Sequence, residues 1–110
     1  MVELNIASDF EPEVKLERKN TDTGAWEAAT GLSSVVARIS DTKTGSAIGG
    51  LTVGLTERGT TGLYAGVFDA ADLLTALTTY VGTVVYVVYS KAGDIDMEWE
   101  PFLVRNNRRV

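Results

Sequence analysis

The chain has 110 residues, a net charge of −5, and neither histidine nor cysteine. Without these two residue types it has no histidine general base, no thiol nucleophile, no disulfide framework and none of the commonest zinc ligands. Its length predicts one domain covering residues 1–110, with residues 1–10 and 105–110 as extended arms.

Hydrophobic and polar residues alternate with a period of two in several segments between residues 2 and 68, which is the pattern of half-buried β-strands. A polar turn at residues 20–25 precedes Trp26, and a second turn at residues 41–45 contains Gly45. The alternating segments predict strands at residues 2–6, 13–17, 33–40, 51–56 and 63–68.

Residues 69–77 interrupt this alternation and predict one or two turns of helix. Asp69 is a typical N-terminal cap, and Asp72 places an acidic side chain in the first turn. Leu73, Leu74 and Leu77 follow at helical spacing. We therefore expect a short helix between two strands.

Residues 83–89 are apolar on both faces, which predicts a central strand covered on each side. After Pro101, residues 102–104 continue the extended pattern through a predicted bulge. Turn signals about every ten residues predict an all-β fold, namely an immunoglobulin-like antiparallel β-sandwich of about seven strands with one short helix. A small β-barrel is the alternative.

The most conspicuous charge feature is residues 94–100, where acidic and apolar residues alternate without a break. We expect the core-facing side to carry Ile95, Met97 and Trp99. We expect the outward side to carry Asp94, Asp96, Glu98 and Glu100.

Three interpretations of this carboxylate row remain open. It can be a solvated sheet face, a contact for a divalent cation or a basic partner, or a set of acid–base carboxylates as in glycosidases. Asp94, Asp96 and Glu98 are the candidate cation ligands. Catalysis is disfavoured because a straight row does not converge on one point.

The C-terminal tail holds the one basic concentration, formed by Arg105, Arg108 and Arg109. It can pair with another subunit, remain solvated or bind nucleic acid. In an acidic protein the simplest specific partner for it is an acidic patch on another copy, and nucleic acid is disfavoured.

Trp26, beside the polar turn, is a candidate sugar-stacking platform, although core and interface packing explain most of the aromatic residues.

No arrangement of residues predicts an enzyme or a cofactor site. Ser90 and Lys91 are neighbours, but adjacent residues on a strand face opposite ways and cannot form a nucleophile–base pair. The glycines at residues 45–50 are not followed by the Gly-Lys-Ser/Thr of a phosphate-binding loop. We expect no catalytic residues, no cofactor and no small-molecule substrate.

Three segments together resemble small immunoglobulin-like virion proteins of tailed bacteriophages, including baseplate, tail and head-associated domains. These are the strand at 33–41 after Thr30-Gly-Leu32, the Gly-x-Tyr strand at 61–71 that runs into a short helix, and the closing pair at 84–89 and 97–104. The resemblance covers most of residues 12–109.

The resemblance implies a non-enzymatic structural protein of the virion, assembled in many copies in the host cytoplasm and free of cofactor. It would form a homo-oligomeric module at the head–tail connection or in the tail, with a capsid decoration protein as the nearest variant. Its partners would be other copies and other virion proteins, and no membrane is expected. A carbohydrate- or ligand-binding β-sandwich module, using Trp26 with Asn20 or Asp22, is the alternative from another class.

Overall fold

A computed structural model of the chain describes residues 2–32, 34–91 and 96–106, without the side chains of Asp96 and Met97. These residues form an all-β fold with one short α-helix, α1 (Ala70–Leu77), and two 3₁₀ segments, Ile48–Gly50 and Thr78–Tyr80. None of the helices in these ranges is long and apolar enough to cross a membrane. The strands are β1 (Val2–Asn5), β2 (Glu13–Lys15), β3 (Glu17–Lys19), β4 (Trp26–Ala28), β5 (Val35–Ser40), β6 (Thr52–Glu57), β7 (Leu63–Ala65), β8 (Val84–Lys91) and β9 (Asp96–Arg105).

Seven of these strands make one curled, mixed sheet in the order β1-β9-β8-β5-β6-β7-β2, and β3 and β4 form a separate hairpin. β1 runs parallel to β9, whereas the other paired strands are antiparallel. β6 joins the two parts of the curl, because its first residues pair with β5 and its last two, Thr56 and Glu57, pair with β7. The predicted central position of β8 is confirmed, since it lies between β5 and β9.

The core fills the concave side of the curled sheet. Val85, Val87 and Tyr89 of β8 point into it and are at most 2% exposed, and Leu73 and Leu77 of α1 belong to the same buried cluster. Burying side chains of this size contributes about 1.5–3 kcal/mol each. The period-two pattern of the strands therefore has its expected cause in one shared apolar core.

Residues 2–6 belong to the fold and do not extend as the predicted arm. Val2–Asn5 pairs along β9, and the Ile6 N–H donates to the Arg105 carbonyl at 2.9 Å. Leu4 and Ile6 are fully buried. The same alternation that predicts a strand here also supplies two core side chains, which explains why this segment packs inward.

The helix begins at the predicted place but is capped by a different residue. Asp69 occupies the N-cap position, yet its side chain makes no capping hydrogen bond. The Ala70 N–H instead donates to Oδ1 of Asp9 at 2.8 Å. An acceptor from the N-terminal segment therefore satisfies one of the free N–H groups of the first turn.

The predicted bulge at Pro101 is also wrong. Pro101 pairs with Tyr86 in regular register, and the irregularity lies between Tyr89 and Ser90, opposite Glu98 and Asp96. Pro101 precedes Phe102, the first residue of β9 that pairs with β1. Among the described residues no β1 residue pairs with Pro101, and a strand tolerates the missing N–H of proline at such an edge position.

Tyr64 ties the core to the chain that follows the hairpin. It is fully buried, its hydroxyl donates to the Ala29 carbonyl at 2.6 Å, and it accepts from the Leu32 N–H at 3.0 Å. We predict that Tyr64→Phe lowers the free energy of unfolding by about 1–3 kcal/mol, because it leaves two backbone groups without their partner. Denaturant titration measures this loss. Tyr86→Phe is the control, since that hydroxyl has no partner in the described residues, and equal stability of the two variants would contradict the prediction.

Candidate functional site

The pairing of β9 with β8 reverses the predicted faces of residues 98–100. Glu98 lies opposite Tyr89 and Glu100 opposite Val87, both of which point toward the core, whereas Trp99 lies opposite Val88 on the outer face. Trp99 is accordingly 45% exposed, so the prediction that it faces the core is wrong. The alternation alone cannot choose between the faces, because a shift of one residue in register exchanges them.

The carboxylate row is also not continuous. The register shift pairs Asp96 with Ser90, while Glu98 pairs with Tyr89. Asp94 lies outside the described residues, and the side chain of Asp96 is not described. Among the residues that are described, no three acidic side chains are grouped closely enough to hold a metal ion.

Glu98 and Glu100 remain solvated because the curled sheet opens into a cleft at this level, between β9 and the edge strand β2. The cleft has a volume of about 270 Å³. We call it the acidic cleft, and its charged or polar lining residues are Glu13, Lys15, Tyr89, Glu98 and Glu100. Three carboxylates against one ammonium leave it negatively charged.

Tyr89 reports the electrostatic character of the acidic cleft. Its hydroxyl donates to the Glu13 carbonyl at 3.2 Å. Burial raises the pKa of Tyr89 above its ordinary value, and the negative charges of Glu100, Glu98 and Glu13 raise it further. The three carboxylates that contribute to this raised pKa also attract a cation, so the cleft is suited to a basic side chain.

The basic tail begins at the other end of the same strand. Arg105 is the last residue of β9, and its Nε lies 3.4 Å from Oε2 of Glu3, with both side chains about half exposed. Arg108 and Arg109 lie outside the described residues. Seven residues of extended strand separate Glu98 from Arg105, or about 23 Å. Arg105 and the acidic cleft therefore lie at opposite ends of β9.

The outer face of the sheet is covered by a loop that the sequence does not reveal. Nε of Arg38 donates to the Gly45 carbonyl at 2.9 Å, which holds the turn at residues 41–47 against the sheet. Nζ of Lys43 lies 3.9 Å from the centroid of the Trp99 ring, and Tyr86 contacts that ring edge-on at 5.7 Å. The position of Trp99 thus follows from an aromatic pair and a cation–π contact, not from the core.

The β3–β4 hairpin presents an exposed tryptophan. Trp26 is 67% exposed and lies directly opposite Lys19. The turn between the strands is the predicted polar one, and Oδ1 of Asn20 accepts from the Asp22 and Thr23 N–H groups at 2.9 and 3.3 Å. The backbone of the hairpin tip is therefore held by its own hydrogen bonds.

A second cavity, of about 450 Å³, lies between the start of β6 and α1. We call it the helix-end cavity, and its lining includes Leu51, Val53, Phe68, Asp69 and Asp72. Gly49 allows the close approach that shapes it, because its φ is +57° and a Cβ there would lie 2.9 Å from the Cβ of Ala76. The sequence shows the glycines and the Asp-x-x-Asp separately, and nothing in it brings them together.

The two ends of β6 locate the helix-end cavity and the β3–β4 hairpin. Thr52 begins β6 beside the helix-end cavity. Glu57 ends β6 near the hairpin, where its carboxylate accepts from the Gly31 and Gly62 N–H groups at 2.8 and 3.0 Å. The hairpin therefore lies near the end of β6, and the helix-end cavity lies beside its start. Val53, Ala37, Tyr89 and Glu98 pair in one row across the sheet, so Glu98 of the acidic cleft lies level with the start of β6. No family model, curated protein or solved structure matches the chain.

We predict that the stability of the protein declines above about pH 10, where tyrosine in the unfolded chain begins to ionise. The raised pKa of Tyr89 contributes stability that is fully present below that value and is lost as the pH rises past it. Denaturant titrations at increasing pH measure the decline. It should be shallower in Tyr89→Phe and in Glu98→Gln/Glu100→Gln, and an unchanged decline in Tyr89→Phe would contradict the assignment.

We predict that Trp99→Ala lowers the free energy of unfolding by only about 1–2 kcal/mol, the sum of an edge-on aromatic contact and an exposed cation–π contact. Phe102→Ala is the matched comparison on the same strand, since Phe102 is 4% exposed and should cost about 3–5 kcal/mol. Thermal or denaturant unfolding of both variants gives the ranking. Equal losses would mean that Trp99 faces the core after all.

Proposed function

We propose that this chain is a non-enzymatic structural protein of a tailed-phage virion, acting as a homo-oligomeric module at the head–tail connection or in the tail. The resemblance of residues 12–109 to phage immunoglobulin-like domains suggests the setting. The observation that carries the assembly role is the opposite charge at the two ends of β9. The acidic cleft lies at one end, and the arginines of the tail begin at the other.

The length of the tail favours pairing between copies over pairing within one. Arg109 is four residues beyond Arg105, so its backbone can extend at most about 14 Å from the end of β9. Glu100 lies about 17 Å back along that strand, and Glu98 about 23 Å. A tail reaches these carboxylates of its own chain only by folding back along β9 with backbone and side chain fully extended, which costs conformational entropy. The tail of a neighbouring copy meets no such restriction.

Contacts that join one end of a subunit to the opposite end of the next are heterologous. Such contacts close into rings when the rotation per subunit allows it and otherwise produce filaments. Rings and tubes of repeated subunits are the architecture that a neck or tail module requires. The two-ended charge distribution therefore supports a place in the tail or its connector more than an isolated monomer.

The strand order supports an immunoglobulin-like sandwich as the finer description of the fold. The run β9-β8-β5-β6 corresponds to the strands G-F-C-C′ of a variable-type domain, and the antiparallel neighbours β2 and β7 correspond to B and E. In this proposal β6 passes from one layer to the other and so connects the two sheets. The short helix α1 then occupies the connection between E and F.

Two other functions remain as alternatives, each with its own test. A capsid decoration protein would bind tailless heads in a sedimentation assay, whereas a neck or tail module would bind only where the tail joins or along it. A carbohydrate-binding module is favoured by one observation, the 67% exposure of Trp26 beside the polar turn. Binding on a glycan array that Trp26→Ala abolishes would support that function instead.

We predict that assembly is electrostatic at this contact and therefore weakens between about 0.05 and 0.5 M salt. Arg108→Glu/Arg109→Glu and Glu98→Lys/Glu100→Lys should each lower the oligomer mass measured by sedimentation velocity. An equal mixture of the two variants should restore assembly, because acidic tails then meet basic clefts and basic tails meet acidic clefts.

Asp41→Lys is the control for a change of net charge outside the acidic cleft. It should leave the oligomer mass as in the unmodified chain. A chain that stays monomeric at high concentration and fails to bind purified phage particles would contradict the proposed function.

A further inference from the structure

Trp26 has the properties of an anchor in a protein interface. Its ring makes no aromatic contact and no hydrogen bond with the described residues, and 67% of the residue is exposed to solvent. Tryptophan is among the residue types most enriched where truncation costs the most binding energy. Because the hairpin tip is already fixed by Asn20, docking through it requires little further ordering of the chain.

The helix-end cavity has the size and chemistry to receive such an anchor. Its volume of about 450 Å³ falls in the range of sites that enclose a bound group. Val53 and Val67 supply accessible apolar lining, and Val67 is 48% exposed, whereas Leu51 and Phe68 are at most 5% exposed and present little surface. The carboxylates of Asp69 and Asp72 form no ion pair or hydrogen bond within the part of the chain that the structure describes.

The two surfaces are complementary group by group. The Trp26 indole offers an apolar ring and a single N–H donor, which suit a cavity whose lining combines apolar side chains with carboxylates. Lys19 lies directly across the strand pair from Trp26, on the same face of the hairpin, and forms no ion pair among the described residues. Its ammonium matches the negative charge of Asp69 and Asp72.

The partner that fits is a second copy of this chain. The hairpin and the helix-end cavity lie at opposite ends of β6, so a copy cannot insert its hairpin into its own cavity. We propose that the hairpin of one copy docks through Trp26 into the helix-end cavity of the next. This inference rests on the proposed function, since it adds an apolar contact to the same end-to-end assembly that the tail and the acidic cleft begin.

The test separates the two contacts by salt. At about 1 M salt the Debye length is about 3 Å, so the contact between tail and acidic cleft is screened while burial of Trp26 is not. We expect Trp26→Ala to weaken self-association at least tenfold in sedimentation equilibrium under these conditions. Thr75→Trp, which fills the cavity from its own helix, should do the same, and Asp72→Lys is a second cavity variant for lower salt.

Complementation then identifies the geometry. Trp26→Ala keeps an intact cavity and Thr75→Trp keeps an intact hairpin, so an equal mixture should form a one-to-one heterodimer at about 1 M salt. Val2→Ala removes a comparably exposed apolar side chain, 56% exposed, and should leave the mass unchanged. Circular dichroism and the melting temperature of each variant verify that it is folded.

Each other result would overturn the inference. If Trp26→Ala self-associated as strongly as the unmodified chain, Trp26 would not be an anchor, and only the contact between tail and acidic cleft would remain. Loss of assembly in both variants without heterodimer in the mixture would mean that hairpins pair with each other. Loss of glycan binding without a change in mass would assign Trp26 to a carbohydrate, and a chain that is monomeric at every salt concentration would remove the proposed function as well.

Discussion

The register of β9 against β8 determines the chemistry of the molecule's surface. With Glu98 opposite Tyr89 and Glu100 opposite Val87, two carboxylates turn toward the inside of the curled sheet and form a cleft with Glu13. A shift of one residue would turn Trp99 toward the core and both carboxylates to the outer face of the sheet. The same alternating segment could thus give a plain solvated strand, and only the pairing makes it a charged cleft.

What holds this register lies on both sides of the sheet. On the inside, the Tyr89 hydroxyl reaches β2 through the Glu13 carbonyl. On the outside, the loop anchored by Arg38 places Lys43 over the ring of Trp99. These contacts come from segments far apart in the chain, so the acidic cleft is a product of the whole fold.

This explains which parts of the fold can be predicted from the sequence. The strands of the large sheet, the short helix and the central place of β8 follow from local alternation and from a run that is apolar on both faces, whereas the β3–β4 hairpin was not predicted. The face of Trp99 could not be predicted, because β8 offers apolar residues to both sides. The cap of α1 by Asp9 was equally hidden, since donor and acceptor lie 61 residues apart.

The candidate site was predicted only in part. The acidic and basic groups were visible as composition, but their placement at the two ends of one strand depends on β9 running unbroken past Pro101. The helix-end cavity depends on Gly49 approaching Ala76, which no local pattern indicates. The absence of cysteine from the chain makes the central claim directly measurable. A variant carrying Glu98→Cys and Arg108→Cys, oxidised and run on a denaturing gel, should give a ladder of covalent multimers, whereas a monomer band, with or without an internal disulfide, would contradict end-to-end assembly.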